Sequence, residues 1–414
     1  MVRLMTFSSL YPNARQPRHG VFVERRLRKL LATGQVTSRV VAPVPWFFST
    51  ASRWGQYAEY ARVPRRERRD GLDVLHPRYP VIPKFGMSIA PALMVRWMKP
   101  VIEDLFRQGF DFDVIDAHYF YPDGVAATEL GAHFRKPVVV TARGSDINVL
   151  PAYRGPRRMI VRAANRASRI ISVSKALRDA MVSLGICGDR IEVAPNGVDT
   201  EMFRPSERDA TRRLFGHDGP VLLSVGHLVE AKGHHLAIKA LSMLPEALLV
   251  IVGEGPMQGA LERLAVSEAV SDRVIFKPNA PQETLCRYYS AADVLVLATL
   301  REGMPNVVLE SLACGTPVVA TAVGGIPEIV THPTMGCLVQ TRTPTAFAAA
   351  IKKVLAGDTD RCRVRTYARQ FSWDESIRLQ LAVYQEVAER GAAHETANGC
   401  GAAGRASRHQ AGWS

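Results

Sequence analysis

Short apolar runs rich in β-branched residues alternate along the chain with longer segments whose apolar positions recur at helical spacing. This alternation is typical of βαβ units and predicts parallel sheets flanked by helices. In the first half the runs predict strands over residues 2–7, 38–44, 113–116, 137–141, 169–174 and 190–194. In the second half they predict strands over residues 221–225, 247–252, 273–276, 293–299, 317–321 and 336–339. The expected fold class is therefore α/β.

The two series of strands predict two domains, because one core rarely exceeds roughly 250–300 residues and the chain has 414. We expect a Rossmann-like N-terminal domain over 1–200, a polar linker over 201–219 and a Rossmann-like C-terminal domain over 220–372. A last helix is predicted over 373–390, where Ile377, Leu381, Tyr384 and Ala388 form one apolar stripe. Residues 391–414 are small, polar and aperiodic, which predicts a disordered tail.

Polar residues follow several of the predicted strands. His118 follows one strand of the first series, and Lys232 and Glu302 follow two strands of the second. In open parallel sheets, ligands bind beyond the carboxyl ends of the strands. We therefore expect two such rims, facing each other across a cleft.

The segment REGMPNVVLESLACGTPVVA predicts a short helix in the second half, with Pro305 at its first position. The first backbone N–H groups of a helix attract phosphate, so the amides from Asn306 to Val308 are candidate donors. Glu302 precedes this helix and Glu310 lies inside it, a spacing that brackets a diphosphate between two carboxylates. One carboxylate can accept hydrogen bonds from sugar hydroxyls and the other from a ribose diol. The competing interpretation is that both glutamates are simply solvated.

Two basic residues follow the strand VLLSV. Lys232 lies in the loop before the next helix, where its ammonium can act as a point charge on phosphate. The alternative is an ordinary exposed lysine. His227 is nearer the strand end and can donate a hydrogen bond, although a lone histidine is more often structural.

The net charge of +14 indicates an anionic partner: nucleic acid, anionic lipid or a phosphorylated substrate. Two arginine clusters lie in the first half, at Arg62, Arg65, Arg66, Arg68 and Arg69 and at Arg154, Arg157, Arg158, Arg162, Arg166 and Arg169. A basic nucleic-acid-binding α/β protein is thus one alternative. However, aromatic residues are not interleaved with these clusters and no recognised nucleic-acid motif occurs, so we expect no nucleic-acid partner.

The six cysteines have neither the spacing of a metal site nor that of a redox pair, and they indicate reduced thiols. We expect no metal and no cofactor. No apolar run approaches the roughly 18–20 residues of a membrane span, so the expected location is the cytoplasm.

The chain resembles glycosyltransferase family 4, retaining enzymes of GT-B architecture. The resemblance rests on an ordered set of segments: RHGVFVERRL, ARGSDI, SVSKALRD, APNGVDTEMFRP, VGHLVEAKGHHLAIKAL, LVIVGEGP, YYSAADVLVLATLREGMPNVVLESLACGTPVVAT and GGIPEIV. It implies two Rossmann-like domains facing across a cleft and a C-terminal helix that crosses back to the first. It also implies transfer of a hexosyl group from a nucleotide-diphosphate sugar to an acceptor hydroxyl, with retention, in polysaccharide or glycolipid biosynthesis.

The resemblance also implies residue roles. Glu302 would hold the hydroxyls of the donor sugar, Glu310 the ribose and Lys232 the diphosphate, while His118 would lie near the reacting anomeric carbon. The implied catalytic set is His118, Glu302 and Lys232, and the implied donor-binding set is Gly20, His227, Lys232, Glu302, Met304, Asn306, Val307, Val308 and Glu310. Arg143 and Asp146 are expected on the acceptor side. Two positions depart from the family pattern: His227 replaces a usual arginine, and Arg143 replaces a frequent histidine.

The implied acceptor is a glycan or a lipid-linked molecule. The first domain carries the arginine clusters and the apolar segments VPWFFST and SIAPALMVRWM, which predict peripheral contact with an anionic membrane. Burial of both segments in the core is the competing interpretation. Membrane contact would place the protein at the inner face of the membrane.

Overall fold

The computed structural model describes residues 1–81, 86–357 and 359–406, with backbone only from residue 394 onward. The chain forms two compact units. The first consists of Met1–Ser172, Arg178–Ala194 and the segment from Ile377, and the second of Val173–Leu177 and Pro195–Ser376.

Within the described residues, the first unit contains an eight-stranded sheet in the order β10-β9-β8-β7-β1-β2-β5-β4 and a separate two-stranded sheet, β3-β6. Neighbouring strands are parallel except for the antiparallel pair β4 and β5. The strands are β1 Val2–Phe7, β2 Val36–Val41, β3 Val44–Trp46, β4 Arg66–Arg69, β5 Leu72–Leu75, β6 Arg78–Pro80, β7 Val114–His118, β8 Val138–Ala142, β9 Arg169–Ser172 and β10 Ile191–Val193.

The second unit contains, among the residues described, a six-stranded parallel sheet in the order β13-β12-β11-β14-β15-β16. Its strands are β11 Val221–Val225, β12 Leu248–Val252, β13 Val274–Lys277, β14 Val294–Leu297, β15 Val318–Thr321 and β16 Gly336–Val339. The central strands β11, β12, β14 and β15 are buried along their whole length. Burial on both faces explains why they are continuous apolar runs rather than alternating ones.

Helices connect the parallel strands in both units. They are α1 Val21–Ala32, α2 Gln56–Arg62, α3 Ala90–Arg107, α4 Val125–Phe134, α5 Ser145–Asn148, α6 Arg154–Arg166, α7 Lys175–Ser183, α8 Arg208–Phe215, α9 His234–Leu241, α10 Gln258–Ser267, α11 Gln282–Ala291, α12 Asn306–Ala313, α13 Ile326–Ile329, α14 Pro344–Ala356, α15 Arg361–Ala368 and α16 Trp373–Ala406. None of the described helices is both long and apolar enough to cross a membrane.

The last helix packs on the first unit. From Ile377 onward α16 belongs to that unit, and Ile377, Leu381 and Tyr384 of the predicted stripe are buried. The helix continues past the predicted end at residue 390 to Ala406, within the segment that predicted disorder. Residues 407–414 of the predicted tail lie outside the described residues.

The segment predicted as a linker, 201–219, is part of the second unit. It contains α8, where Phe215 is buried and its ring packs 5.7 Å from that of Tyr288. Arg208 and Arg212 on the same helix both bind the carboxylate of Asp293. These contacts hold the segment against α11 and the start of β14, although its own periodicity is weak.

Candidate active site

Helix α12 begins where the sequence predicted a phosphate-binding terminus. Pro305 is the N-cap, with extended backbone (φ −78°, ψ 111°), so it precedes the first helical residue instead of occupying it. The N–H of Val308 donates to Pro305 O at 3.2 Å. Helical geometry leaves the preceding amides, those of Asn306 and Val307, without an intrahelical acceptor. These donors and the helix dipole favour an anion at this position.

Asn196 holds the start of α12 in place. Its side-chain Nδ2 donates to Met304 O at 3.3 Å and to Asn306 Oδ1 at 3.0 Å. Asn196 is buried, and both of its partners belong to the predicted donor-binding set. The position of Asn196 in APNGVD, just after a predicted strand, predicts a place on the rim of the sheet, but its hydrogen bonds to the start of α12 were not predicted.

The loop that carries Glu302 is packed against a glycine pair. Gly324 has a φ of +55°, and a Cβ atom there would lie 2.1 Å from Glu302 O. The N–H of Gly325 donates to Gly303 O at 2.9 Å. Only glycine at position 324 allows the backbone of Glu302 to approach this closely.

Replacing Gly324 with alanine is expected to destabilise the second unit by about 1–3 kcal/mol, because the φ is unfavourable and the Glu302 backbone must move. Thermal unfolding measures the effect. Gly259→Ala is the matched control, since its Cβ would meet only the end of Arg263 at 3.5 Å. That change should be neutral or slightly stabilising, and equal behaviour of the two variants would contradict the packing argument.

Lys232 and Glu302 form an ion pair at the carboxyl edge of the second sheet. Lys232 Nζ lies 2.5 Å from Glu302 Oε1, and the two side chains are 30% and 12% exposed. The loop of Lys232 is held against the end of β14: Gly233 has a φ of +75°, and a Cβ there would lie 1.9 Å from Ala298 O. The N–H of Leu300 donates to Ala231 O at 2.7 Å. The structure thus brings together two of the three predicted catalytic residues.

Glu310 is buried, and its Oε2 accepts a hydrogen bond from Tyr289 OH at 2.9 Å. One carboxylate oxygen of Glu310 thus already accepts a hydrogen bond inside the unit. A ribose diol would have to donate to lone pairs of this carboxylate that Tyr289 does not use. His227 is exposed directly after β11, as its sequence position predicted. The donor-binding roles of both residues stay predictions.

Gly20 occupies a left-handed position at the N-cap of α1, with φ +69°. A Cβ atom there would lie 2.1 Å from Leu10 O, in the loop that follows β1. This close approach requires glycine and folds the loop back onto the helix start.

His118 is buried at the end of β7 between two charged side chains. Its Nε2 lies 3.0 Å from Asp116 Oδ2, and its Nδ1 lies 2.9 Å from Arg143 Nη2. Because Arg143 can only donate, the network assigns the imidazole proton to Nε2, from where it donates to Asp116. Burial, reinforced by the charge of Arg143 and opposed by Asp116, lowers the pKa of His118 to about 4. The imidazole is therefore neutral at pH 7, with both nitrogens engaged inside the protein.

The network around His118 reaches the C-terminal helix. Tyr384 OH donates to Asp116 Oδ1 at 2.7 Å, and the buried Arg26 donates through Nε to Gln380 Oε1. Burial and the charge of Arg26 lower the pKa of Arg143 to about 9. The sequence predicted Tyr384 as a member of an apolar stripe and missed its hydrogen bond.

Asp146 organises two loops. It is buried, and its carboxylate accepts hydrogen bonds from the N–H groups of Phe120 (2.9 Å), Arg143 (3.1 Å) and Gly144 (2.7 Å). Through these hydrogen bonds to the main chain, Asp146 holds the backbone that carries Arg143 in place. The guanidinium of Arg143 also lies over the ring of Phe22, 5.1 Å from its centroid.

Comparisons with known proteins identify the family. Residues 206–371 match the family described as glycosyl transferases group 1, and residues 64–202 match glycosyltransferase family 4. TuaC of Bacillus subtilis (strain 168), a putative teichuronic acid biosynthesis glycosyltransferase, is 30% identical over 370 residues, which cover 85% of this chain and 89% of that protein. The chain belongs to glycosyltransferase family 4.

A second relative of this glycosyltransferase is the D-inositol 3-phosphate glycosyltransferase of Xylanimonas cellulosilytica. It is 34% identical over 238 residues, which cover 53% of this chain and only 57% of that protein. D-inositol 3-phosphate glycosyltransferase 1 of Catenulispora acidiphila is 30% identical over 319 residues, covering 69% and 75%. These relatives do not favour the nucleic-acid-binding alternative.

The solved structures that resemble this glycosyltransferase share its fold. Sucrose-phosphate synthase from Thermosynechococcus elongatus has a TM-score of 0.73 at 20% identity, covering 94% of this chain and 99% of that one. HepE of Anabaena, in complex with UDP and glucose, has a TM-score of 0.70 at 20% identity, covering 94% and 100%. The predicted α/β fold class of the GT-B type is confirmed.

Proposed function

We propose that the chain moves a hexosyl group from a nucleoside-diphosphate sugar to an acceptor hydroxyl, with retention and without a metal ion. The observation that carries this proposal is the start of α12, whose first amides have no acceptor within the helix, together with the ion pair of Lys232 and Glu302 just before it. HepE, which shares the fold, binds UDP and UDP-glucose. We therefore take UDP as the first nucleotide to test.

In the proposed reaction the diphosphate binds at the amides of Asn306 and Val307, and Lys232 divides its hydrogen bonds between the diphosphate and Glu302. The bond between the anomeric carbon and the diphosphate oxygen breaks, and these donors stabilise the charge that develops on the leaving group. The acceptor oxygen bonds to the same face of the anomeric carbon, and its proton passes to a diphosphate oxygen. Glu302 accepts hydrogen bonds from the sugar hydroxyls.

We propose a positioning role for His118. Both of its ring nitrogens are engaged by Asp116 and Arg143, so the neutral ring has no proton to exchange without breaking one of these bonds. The acceptor-side role of Arg143 stays a prediction.

A thermal-shift series tests donor binding. UDP at 100 times its dissociation constant is expected to stabilise the protein by about 2.7 kcal/mol, because it binds only the folded state. GDP and ADP serve as base controls, and a parallel series with EDTA tests metal independence. A UDP shift that survives EDTA supports the proposal. The absence of a shift with all three nucleotides, or a shift that requires a divalent cation, would contradict it.

We propose that the acceptor is a glycan or a lipid-linked glycan and that the first unit meets an anionic membrane surface. Three arginines of α6, Arg154, Arg157 and Arg158, line an open hollow of about 750 Å³. Arg162 lines both this hollow and an adjoining one of about 360 Å³ with apolar walls from α3 and α4. Trp97 of α3 is 50% exposed. Basic side chains beside exposed apolar ones are typical of membrane-surface binding.

Vesicle co-sedimentation tests this contact. Wild-type protein is expected to bind vesicles of phosphatidylcholine with phosphatidylglycerol, and to bind pure phosphatidylcholine weakly. The double change Arg157→Glu and Arg158→Glu should abolish the difference, because each basic residue near an anionic surface contributes about 1 kcal/mol. Lys352→Glu with Arg363→Glu makes the same charge change at exposed positions of the second unit. If both double variants lose vesicle binding equally, net charge alone accounts for the binding and the proposed surface is wrong.

A further inference from the structure

We propose that Cys286 and Cys314 of the second unit form a disulfide when the protein is exposed to a peroxide, and that this bond weakens nucleotide binding at the start of α12. The site of modification follows from the fold alone, whereas its effect on nucleotide binding rests on the proposed function. In the structure both cysteines are free thiols, Cys286 within α11 and Cys314 directly after α12.

The two thiols are in direct contact inside the second unit. Their sulfur atoms lie 3.8 Å apart, although the residues are 28 positions apart in the sequence. Their spacing along the chain predicted no redox pair. A disulfide has a sulfur–sulfur distance of about 2.05 Å, so the two atoms must approach each other by about 1.8 Å. Rotation of the side chains and a small movement of the helices can together supply this approach.

Hydrogen bonds beside the thiol pair tie the end of α11 to the loop after α12. The guanidinium of Arg361 donates to Ser290 O at 2.8 Å and to Thr316 Oγ1 at 2.6 Å. Thr316 Oγ1 in turn donates to Tyr289 O at 2.6 Å. Because the two segments are joined here, the sulfur atoms stay next to each other.

Cys286 is the thiol that an oxidant reaches first. It is 7% exposed, whereas Cys314 is fully buried. The Cys286 thiol lies 3.1 Å from the backbone oxygen of Arg204, an exposed residue. The hydrogen bond from the Cys314 thiol, opposed by burial, lowers the pKa of Cys286, while the same contact and burial raise the pKa of Cys314. Since the thiolate is the form that reacts with peroxides, Cys286 is the attacking group.

The proposed reaction has two steps and consumes one hydrogen peroxide. The Cys286 thiolate attacks one peroxide oxygen and the O–O bond breaks. The leaving hydroxide takes up the proton that the thiol gave up, so a sulfenic acid and one water form. The Cys314 sulfur then attacks the Cys286 sulfur, the S–O bond breaks, and the hydroxide leaves with the Cys314 proton as a second water. Each cysteine loses one electron, and the peroxide is reduced to two waters.

The thiol pair lies next to a second contact between the same two helices. Tyr289 is one helical turn after Cys286 on α11, and Glu310 is one turn before Cys314 on α12, so each pair shares a helix face. Tyr289 OH donates to Glu310 Oε2 at 2.9 Å. The N–H of Cys314 donates to Glu310 O at 3.1 Å. The two contacts are therefore mechanically linked.

Formation of the disulfide is expected to move the carboxylate of Glu310. As the sulfur atoms approach, the end of α12 is drawn toward α11, and the side chain bonded to Tyr289 shifts with it. Glu310 is the predicted partner of the ribose. Misalignment of this carboxylate corresponds to the loss of about one hydrogen bond, which weakens nucleotide binding about three- to tenfold.

Peptide mapping of the full chain tests the disulfide. The protein is treated with hydrogen peroxide, its remaining thiols are alkylated, and it is digested with trypsin and a protease that cuts after glutamate, because Glu328 separates Cys314 from Cys337. A linked peptide pair with Cys286 and Cys314 is expected, and dithiothreitol should abolish it. The exposed Cys362 of the same unit reports that oxidation has occurred. Peroxide that oxidises Cys362 without forming the linked pair overturns the proposal.

The UDP thermal shift is then measured on reduced, oxidised and re-reduced protein, and the affinity is taken from its dependence on UDP concentration within each sample. The oxidised protein should bind UDP about three- to tenfold more weakly and recover with dithiothreitol. Cys286→Ala should bind UDP as the reduced protein does and ignore peroxide, whereas the matched control Cys362→Ser should respond like the wild type. Thermal unfolding shows that both variants are folded, and the recovery of the wild type depends on neither.

A disulfide that leaves the UDP affinity unchanged, or an equal effect of peroxide on Cys286→Ala, overturns the link to nucleotide binding. No UDP shift in the reduced protein contradicts the proposed function instead, and the peptide mapping then decides the disulfide on its own.

Discussion

Replacing Lys232 with alanine is expected to lower kcat for sugar transfer by about 10²–10³-fold, with little change in overall stability. In the proposed reaction negative charge builds on the diphosphate as the bond between its oxygen and the anomeric carbon breaks. Lys232 is the ammonium next to Glu302 at this edge of the sheet. An interaction that strengthens as charge develops acts mainly on kcat, whereas one that is equal in ground and transition states acts on KM.

The loss of Lys232 also leaves Glu302 without its cation. Glu302 Oε1 lies 2.5 Å from the lysine, so the carboxylate is expected to rotate and to bind the donor sugar less well. Lys232→Arg keeps the charge but changes its shape and reach, and it should restore part of the rate. Partial rescue distinguishes a charge effect from a packing effect.

Steady-state rates with UDP-glucose, or with the nucleotide sugar that the binding series selects, measure this prediction. Lys352→Ala is the matched control, because this lysine is exposed on α14 of the same unit. A Lys232→Ala variant with a near-normal kcat, or a loss of similar size in Lys352→Ala, would remove Lys232 from the proposed chemistry.

The sequence predicted the rim of the second sheet but not the ion pair on it. Lys232 and Glu302 are 70 residues apart and follow different strands, so the rule for parallel sheets places them at the same edge. Their direct contact depends on the close approach of Gly233 to Ala298. No local sequence pattern predicts that approach, because it requires only that residue 233 has no Cβ atom to collide with Ala298.

Strands β3 to β6 of the first unit were missed for a different reason. They are three or four residues long, and β3 and β6 contain Pro45 and Pro80. Proline within a short run argues against a strand in a sequence pattern, although it is tolerated where its position needs no N–H donor. Of these strands, β3 and β6 contribute residues to the wall of a cavity beside the loop that follows β1.

The hydrogen-bond network around His118 could not be predicted from the sequence, because its members are far apart in the chain. Tyr384 is 268 residues from Asp116, and Arg26 is 354 residues from Gln380. Helical periodicity places Tyr384 on the buried face of α16, but it does not indicate what the hydroxyl bonds to. A buried tyrosine hydroxyl usually has a partner, which was the one available signal.

Replacing Asp116 with asparagine is expected to cost about 3–5 kcal/mol of local stability in the first unit, because it removes the carboxylate from a buried group of charges. Arg26 and Arg143 would remain, and Arg26 is 1% exposed. Two N–H-bearing atoms of each guanidinium already have no hydrogen-bond partner among the described residues, namely Nη1 and Nη2 of Arg26 and Nε and Nη1 of Arg143. The Asp116 charge is thus the principal compensation for both.

Hydrogen–deuterium exchange measures this effect separately in each unit. Protection of amides in β7 and α16 should fall by about 10²- to 4 × 10³-fold, since each 1.4 kcal/mol corresponds to a factor of ten, while β11 of the second unit should be unchanged. Tyr384→Phe removes one hydrogen bond to the carboxylate and should cost about 1–3 kcal/mol. Asp111→Asn, at a side chain that is 59% exposed, is the control and should leave protection unchanged.

His118 makes a contribution of known sign to the pH dependence of the first unit. It is opposed over the same range by the buried Asp123, whose pKa burial raises to about 7. His118 has a folded pKa of about 4 against an ordinary value of 6.5, because burial disfavours the charged ring. The unfolded chain therefore binds this proton more readily, and stability is lost as pH falls from about 6.5 to 4. The loss amounts to roughly 3 kcal/mol at 1.36 kcal/mol per pKa unit. His118→Gln should remove this part of the acid sensitivity while the exchange of β11 stays as in the wild type. Unchanged acid sensitivity in the variant would show that other groups carry it and that His118 is not held neutral by its surroundings.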